Sequence, residues 1–272
     1  MFRSALVALK PDRASSVISA SVDFAKSFNW ELGGVSVVDA DRLSQGEAVP
    51  LGAGAFKAER DAQQLEAARQ IAVSVGHEFA SACQLAGVRC ESLSYEGDTV
   101  GELSRAALGF DVLICGHSQS GDAADRSLLH DILKHNARPT LVVPPEPVSG
   151  SNVVMAYDGS FQAARALATL VHSGLLTNRH LHVVCLHAEY GTAAARSVSA
   201  MDFLRRQGVS ANCHPEVLVK DIADQLIEAI QRSNAGLLVM GAFGRGSVRE
   251  FFFGSVTQNM LQKLRVPVLL EH

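Results

Sequence analysis

No apolar run in this 272-residue chain approaches the eighteen or so residues that a membrane helix needs, so no membrane span is expected. The opening stretch, MFRSALVALKPD, turns charged at Lys10 and Asp12, too soon for a secretory signal. Cysteine is sparse. The five (Cys83, Cys90, Cys115, Cys185 and Cys213) are scattered, odd in number and free of any C-x-x-C pair. That excludes a disulfide frame or a zinc ribbon and reads as reduced thiols in a cytoplasmic protein. Basic excess is missing too: Lys+Arg 24 against Asp+Glu 28 gives a formal charge of −4. A basic face for wrapping nucleic acid is therefore not expected, whereas a small anionic ligand remains open.

What is present is core material, 47% apolar against 19% charged residues. Three of the eight prolines crowd into Pro144-Pro145-Glu146-Pro147, followed by Val148-Ser149-Gly150-Ser151. Such a stretch continues neither a helix nor an inner strand, so it reads as a linker. The segments on either side repeat one order. Ser4–Leu9 and Val153–Tyr157 open them, Val35–Val38 and Leu181–Leu186 follow, and Val112–Gly116 and Leu237–Gly241 end in glycine. Arg138-Pro139 and Val266-Pro267 then lead into Thr140–Val143 and Val268–Leu270. Short, wholly apolar runs alternating with helical stretches indicate strands buried on both faces of a parallel sheet. The expectation is an α/β fold of two tandem five-stranded parallel-sheet sandwiches, residues 1–148 and 149–272. The first half inserts Asp41–Gly54 after its second strand, whereas the second passes from Ala188 almost directly into a shorter helix. The halves carry −6 and +2, so an anion site is favoured in the second.

Ligands in open parallel sheets bind beyond the carboxyl ends of the strands, where strand order reverses. In the second half those ends read Ala156-Tyr157-Asp158-Gly159-Ser160 and Met240-Gly241-Ala242-Phe243-Gly244-Arg245-Gly246-Ser247. Gly254-Ser255-Val256-Thr257-Gln258 then opens a helix with a capping box. Glycines at 241, 244 and 246 allow close backbone approach, successive N–H groups can cradle phosphate, and Arg245 can add a charge-assisted contact. On the residues alone, a phosphate cradle and a plain chain-reversing loop are equal readings. The stretch is neither a Walker A loop nor the dinucleotide G-x-G-x-x-G fingerprint.

Gly241-x2-Gly244-x9-Gly254-Ser255 resembles the G-x2-G-x9-G-[S/T] motif of the universal stress protein family. LLVMG before it, GSVTQN at the helix start and the closing VPVLL resemble that family as well. The chain thus resembles a tandem universal stress protein, with a Rossmann-like fold of the wider HUP class. The resemblance implies ATP, with magnesium or manganese as an accompanying cation. It places Ala156 and Asp158 near adenine and ribose, and the backbone of Ala188 beside adenine. Met240, Gly241, Gly244, Gly254, Ser255 and Val256 would line ribose and phosphates, with Arg245 at a position often basic in the family. It implies no catalytic residue, ATP hydrolysis that is slow at most, and occupancy that biases conformation or assembly. It also implies that the last strands of the two halves pair within the chain as an internal pseudo-dimer, and that two chains form a homodimer.

The first half departs from this pattern. Lys10 stands where Asp158 does, Gln119 replaces the second glycine, and no Gly-Ser pair follows. Gly116 to Pro139 spans 23 residues against 26 from Gly241 to Pro267, and Asp122 and Asp125 would repel phosphate. We read a degenerate half that keeps the fold without the ATP site; the alternative is a different ligand held by Lys10, His117 and Ser118. His180 and His182 share a strand face and His130 and His135 lie five apart, but neither pair has metal-site company, so solvated or hydrogen-bonded histidines are expected. His187 ends a strand beside Ala188 and is open to ligand contact or to a core position. Cys115 and Cys185 are expected in the core, Cys83 and Cys90 nearer the surface. Two rival functions remain. An adenylating enzyme of the related nucleotide α-hydrolase and ligase families needs an S-G-G-x-D-S loop, whereas this chain has Lys10-Pro11-Asp12-Arg13 and Asp158-Gly159-Ser160-Phe161. A nucleotide-free interaction module would use the glycine loop structurally.

Overall fold

The computed structural model of the protein describes residues 1–44, 54–117, 123–242 and 263–271. The first half runs β1 (Ser4–Ala8), α1 (Ala14–Phe28), β2 (Glu31–Val38), α2 (Ala40–Ser44), α3 (Gly54–Ala86), β3 (Cys90–Glu96), α4 (Thr99–Ala107), β4 (Val112–Gly116), α5 (Ala123–His135) and β5 (Thr140–Val143). The second runs β6 (Asn152–Ala156), α6 (Phe161–Ser173), β7 (Leu181–His187), α7 (Tyr190–Arg206), β8 (Ala211–Val217), α8 (Ile222–Arg232), β9 (Ala235–Gly241) and β10 (Val268–Glu271). No described helix is long and apolar enough to cross a membrane.

The two expected five-stranded sheets form one ten-stranded sheet, ordered β3-β2-β1-β4-β5-β10-β9-β6-β7-β8. Pairing is parallel within each half. The join is antiparallel, with Val268, Leu269 and Leu270 opposite Val142, Leu141 and Thr140. β5 and β10 are buried at every residue. Left unpaired, each would present a row of N–H and C=O groups from an apolar edge; together they remove two edges. At the outer edges β3 and β8 are more exposed along their length, and β8 contains Pro215, which an edge position tolerates.

Helices cover both faces, as strands apolar on both sides require. On one face α1, α3, α6 and α7 share a single core that spans the halves, from Ile18 and Phe79 to Leu167 and Leu204. On the other, α8 and part of α5 pack over the centre, while α4 packs over β1, β2 and β4. Helix starts are set by side-chain caps: Asp98 accepts from the Gly101 N–H, Ser160 from Ala163 and Asp221 from Ala223. The halves also meet away from the junction. The Phe2 N–H donates to the Ser173 carbonyl at 2.8 Å, and the Arg179 guanidinium sits 5.2 Å from the Phe28 ring centre.

The insertion after β2 begins with α2 and leads into α3, 33 residues long against 17 for its counterpart α7; residues 45–53 lie outside the described residues. One thiol differs from expectation. Cys83 is completely buried, because the last turns of α3 lie on the sheet, whereas Cys90 is half-exposed as expected.

Candidate functional site

In both halves the first and fourth strands are neighbours, β1 beside β4 and β6 beside β9, which is where strand order reverses. Such a reversal is where open parallel sheets form a crevice. In the second half it lies beyond β6, β7 and β9 and encloses about 510 Å³ of space open toward solvent. Val184, Leu186 and Met240 form its strand wall, and Ile222 and Leu226 of α8 form the helix wall. Ala156, Tyr157, Asp158 and Gly241 border it, and Arg196 reaches in from α7.

Local chemistry explains this shape. Asp158 Oδ1 accepts from the Ser160 N–H at 2.9 Å, and Ser160 Oγ accepts from the Ala163 N–H at 3.1 Å. These two bonds turn the chain from β6 into α6 and hold the carboxylate at the cleft. Gly241 ends β9 directly against the first turn of α6. A Cβ there would come within 2.5 Å of the Ala163 nitrogen and the Gln162 carbonyl carbon, so the close approach requires glycine. Arg196 Nη1 donates to the Leu186 carbonyl at 3.4 Å, and its stem lies against Gly159. The Tyr157 hydroxyl is driven above its ordinary pKa, first by burial and then by the negative potential of Cys185 and Asp158.

Of the residues singled out in the sequence, Ala156, Asp158, Met240 and Gly241 come together around this cleft. Ala188 follows the end of β7, is exposed, and stands outside the cleft walls. Gly244, Arg245, Gly254, Ser255 and Val256 lie outside the described residues, as does Ser118. Sequence reasoning missed Arg196. It lies on a helix away from any glycine loop, and only the packing of α7 against β7 brings it to the cleft. His187 is committed to the chain turn: its Nδ1 accepts from the Glu189 N–H at 3.0 Å. His182 pairs with His214 of β8 rather than with His180, at 3.1 Å between Nδ1 and Nε2. The described residues assemble no group of three or more His, Cys, Asp or Glu suited to a metal ion.

The first half retains a crevice at the matching place. It encloses about 710 Å³ beyond β1, β2 and β4, with Lys10, Pro11 and Arg13 on one side and Thr99, Leu103 and Ile132 on another. Gly116 ends β4 as Gly241 ends β9, but a Cβ there would meet the side chains of Val17 and Arg13 rather than backbone.

Comparison with known proteins bears on both halves. Residues 151–271 match the universal stress protein family. A curated universal stress protein from Synechocystis is 32% identical over 169 residues, covering 59% of this chain; the match spans only 57% of that relative's length. Among solved structures, a universal stress protein from Archaeoglobus fulgidus shares the fold at a TM-score of 0.71 with 20% identity, over 98% of this chain and 95% of that one. A functionally unknown protein from Pseudomonas aeruginosa PAO1 matches at 0.60 with 17% identity, over 99% and 92%.

Proposed function

We propose that this protein, whose residues 151–271 match the universal stress protein family, is a universal stress protein that binds ATP in its second half and changes conformation or assembly with occupancy. The observation that carries this reading is the cleft at the β6/β9 reversal, with Asp158 and Gly241 at its border and the glycine motif following directly in the chain. The apolar walls suit a purine ring, which gains from leaving water. The Asp158 carboxylate is an acceptor for ribose hydroxyls, and the Arg196 guanidinium offers donors for anionic oxygens. Gly244, Gly254 and Ser255 supply the phosphate side of the motif. Among the described residues one carboxylate, Asp158, borders the cleft, so magnesium or manganese would enter largely on phosphate oxygens, as these hard cations prefer. No general base is assigned, and turnover is expected to be slow at most. The pairing of β5 with β10 makes the chain an internal pseudo-dimer; further association into a homodimer in the cytoplasm belongs to the proposal.

Calorimetry with ATP, and chromatography of small molecules released from denatured protein, test it. ATP binding at one site per chain is expected. Gly254→Val should abolish it, and Asp158→Asn should weaken it about tenfold or more, the scale of one charge-assisted hydrogen bond. Gly116→Val should leave it unchanged. No released adenine nucleotide together with no ATP heat would favour the nucleotide-free module. Stoichiometric pyrophosphate release would favour the adenylating enzyme.

A further inference from the structure

Gly241 and Arg196 border the second-half cleft from opposite sides of Asp158. β6, which Asp158 follows, lies between β9 and β7 in the sheet. Gly241 ends β9 and leads into the glycine motif, whereas Arg196 belongs to α7, the helix after β7. β9 and β7 are two strand spacings apart, roughly 10 Å. Two contacts place the guanidinium. Its stem lies along Gly159, whose φ of +79° turns the chain from Asp158 toward α6; a Cβ there would come within 3.3 Å of Arg196 Cγ. Nη1 donates to the Leu186 carbonyl at 3.4 Å, longer than an ordinary N–H···O bond, so this donor is weakly held. Among the described residues Arg196 forms no ion pair. Burial pushes the Cys185 thiol up, Ser197 and Arg196 draw it down, and Asp158 raises it again, so the two charges act on one point behind the cleft.

A neighbouring carboxylate and guanidinium that do not pair with each other suit a ligand offering a donor to one and an acceptor to the other. We propose, resting on the nucleotide reading above, that the second-half cleft selects an adenine nucleotide carrying a second phosphate on the 2′ position of its ribose. Asp158 takes the remaining ribose hydroxyl, and Arg196 takes the 2′-phosphate. A guanidinium has five N–H donors in a fixed fork and can give a phosphate two of them at once. In dinucleotide folds an arginine beside the sugar accommodates a ribose 2′-phosphate in the same way. The position follows from the layout of the cleft. With the 5′-phosphates on the glycine side, the base end of the sugar faces β7 and Arg196. The 2′ carbon adjoins the base, whereas the 3′ carbon adjoins the 5′ arm. ATP, which lacks this phosphate, leaves Arg196 on the Leu186 carbonyl.

Calorimetry on the full chain with AMP, adenosine 2′,5′-bisphosphate and adenosine 3′,5′-bisphosphate tests the proposal, with ATP as reference. The 2′,5′-bisphosphate should bind about tenfold or more tighter than AMP, the scale of a charge-assisted pair. The 3′,5′ isomer should gain less. Arg196→Gln should remove the gain and leave ATP affinity within about threefold, below the scale of a lost charged hydrogen bond. Arg196→Lys should restore part of the gain, because it keeps the charge without the fork. Asp158→Asn should weaken AMP and the 2′,5′-bisphosphate alike, so that their ratio stands. Circular dichroism and melting check the variants, and the three-ligand comparison on the unaltered chain decides the matter if a variant does not fold. ATP binding without a gain from the 2′-phosphate, a larger gain from the 3′,5′ isomer, or a gain that survives Arg196→Gln would each overturn the proposal and leave the ATP reading standing. Binding of neither ATP nor AMP would overturn both.

Discussion

Leu141 and Leu269 are register partners at the centre of the antiparallel join, and both are buried to within 1%. Each belongs to a half that is otherwise parallel, and both lie in the core that spans the two halves. The halves therefore share one interior. Leu141→Ala is expected to cost about 2–5 kcal/mol, the range for truncating a well-packed core leucine. The whole chain should still melt in one transition. Differential scanning calorimetry checks this, and two separated transitions would contradict the shared core.

Gly241→Ala is expected to destabilise by about 1–3 kcal/mol, because the added methyl meets backbone of the first turn of α6, which must shift as a unit. Gly116→Ala should cost less, since Val17 and Arg13 side chains can adjust. Chemical denaturation of the two variants compares them directly. ATP affinity should fall for the first alone.

Glu271 ends β10, buried, with Oε2 accepting from the Thr169 hydroxyl at 2.9 Å. Burial lifts its carboxyl above the ordinary 4.5, with Thr169 and Arg165 opposing. A folded-state carboxyl pKa above the unfolded value means that folding favours the protonated form. Glu271 therefore costs stability as pH rises through its folded pKa, and the cost disappears as pH falls toward 4.5. Glu271→Gln is expected to raise the melting temperature at pH 7 and to narrow its difference from wild type near pH 4.5. Melting curves across that range decide it.

His182 shifts the other way. Burial first, then the neighbouring His214 and His180, holds its pKa below 6.5. The unfolded chain takes up the proton before the folded one, so stability is lost as pH falls below 6.5 toward the folded pKa. His182→Asn should flatten that part of the stability profile. An unchanged slope between pH 6.5 and 5 would show that other groups set it.

Thiol reactivity should follow burial. Cys83 and Cys115 are both pushed up to about 12, chiefly by burial, and should resist a disulfide reagent at pH 8 until the protein unfolds. Cys90, half-exposed, should be modified first. Mass spectrometry of partially labelled protein reads the order.

The site was only partly open to sequence reasoning. Asp158, Ala156 and Gly241 follow or end short apolar runs, so strand ends locate them. Arg196 sits mid-helix with no local signature, and its approach to Leu186 depends on the docking of α7. His214 was missed for a related reason: its contact with His182 exists only because β7 and β8 are neighbours in register.

By itself the amino-acid sequence determined the strand and helix alternation, the break at Pro144–Ser151 and the glycine-ended strands, because these depend on apolar periodicity and local backbone preference. The pairing of β5 with β10 was an expectation of the family resemblance rather than of the residues themselves. Tertiary structure alone decided that the first half keeps an open cleft. Whether Leu9, Val35 and Leu129 close on one another or line a cleft open toward solvent depends on how helices and strands seat together, which no local pattern encodes.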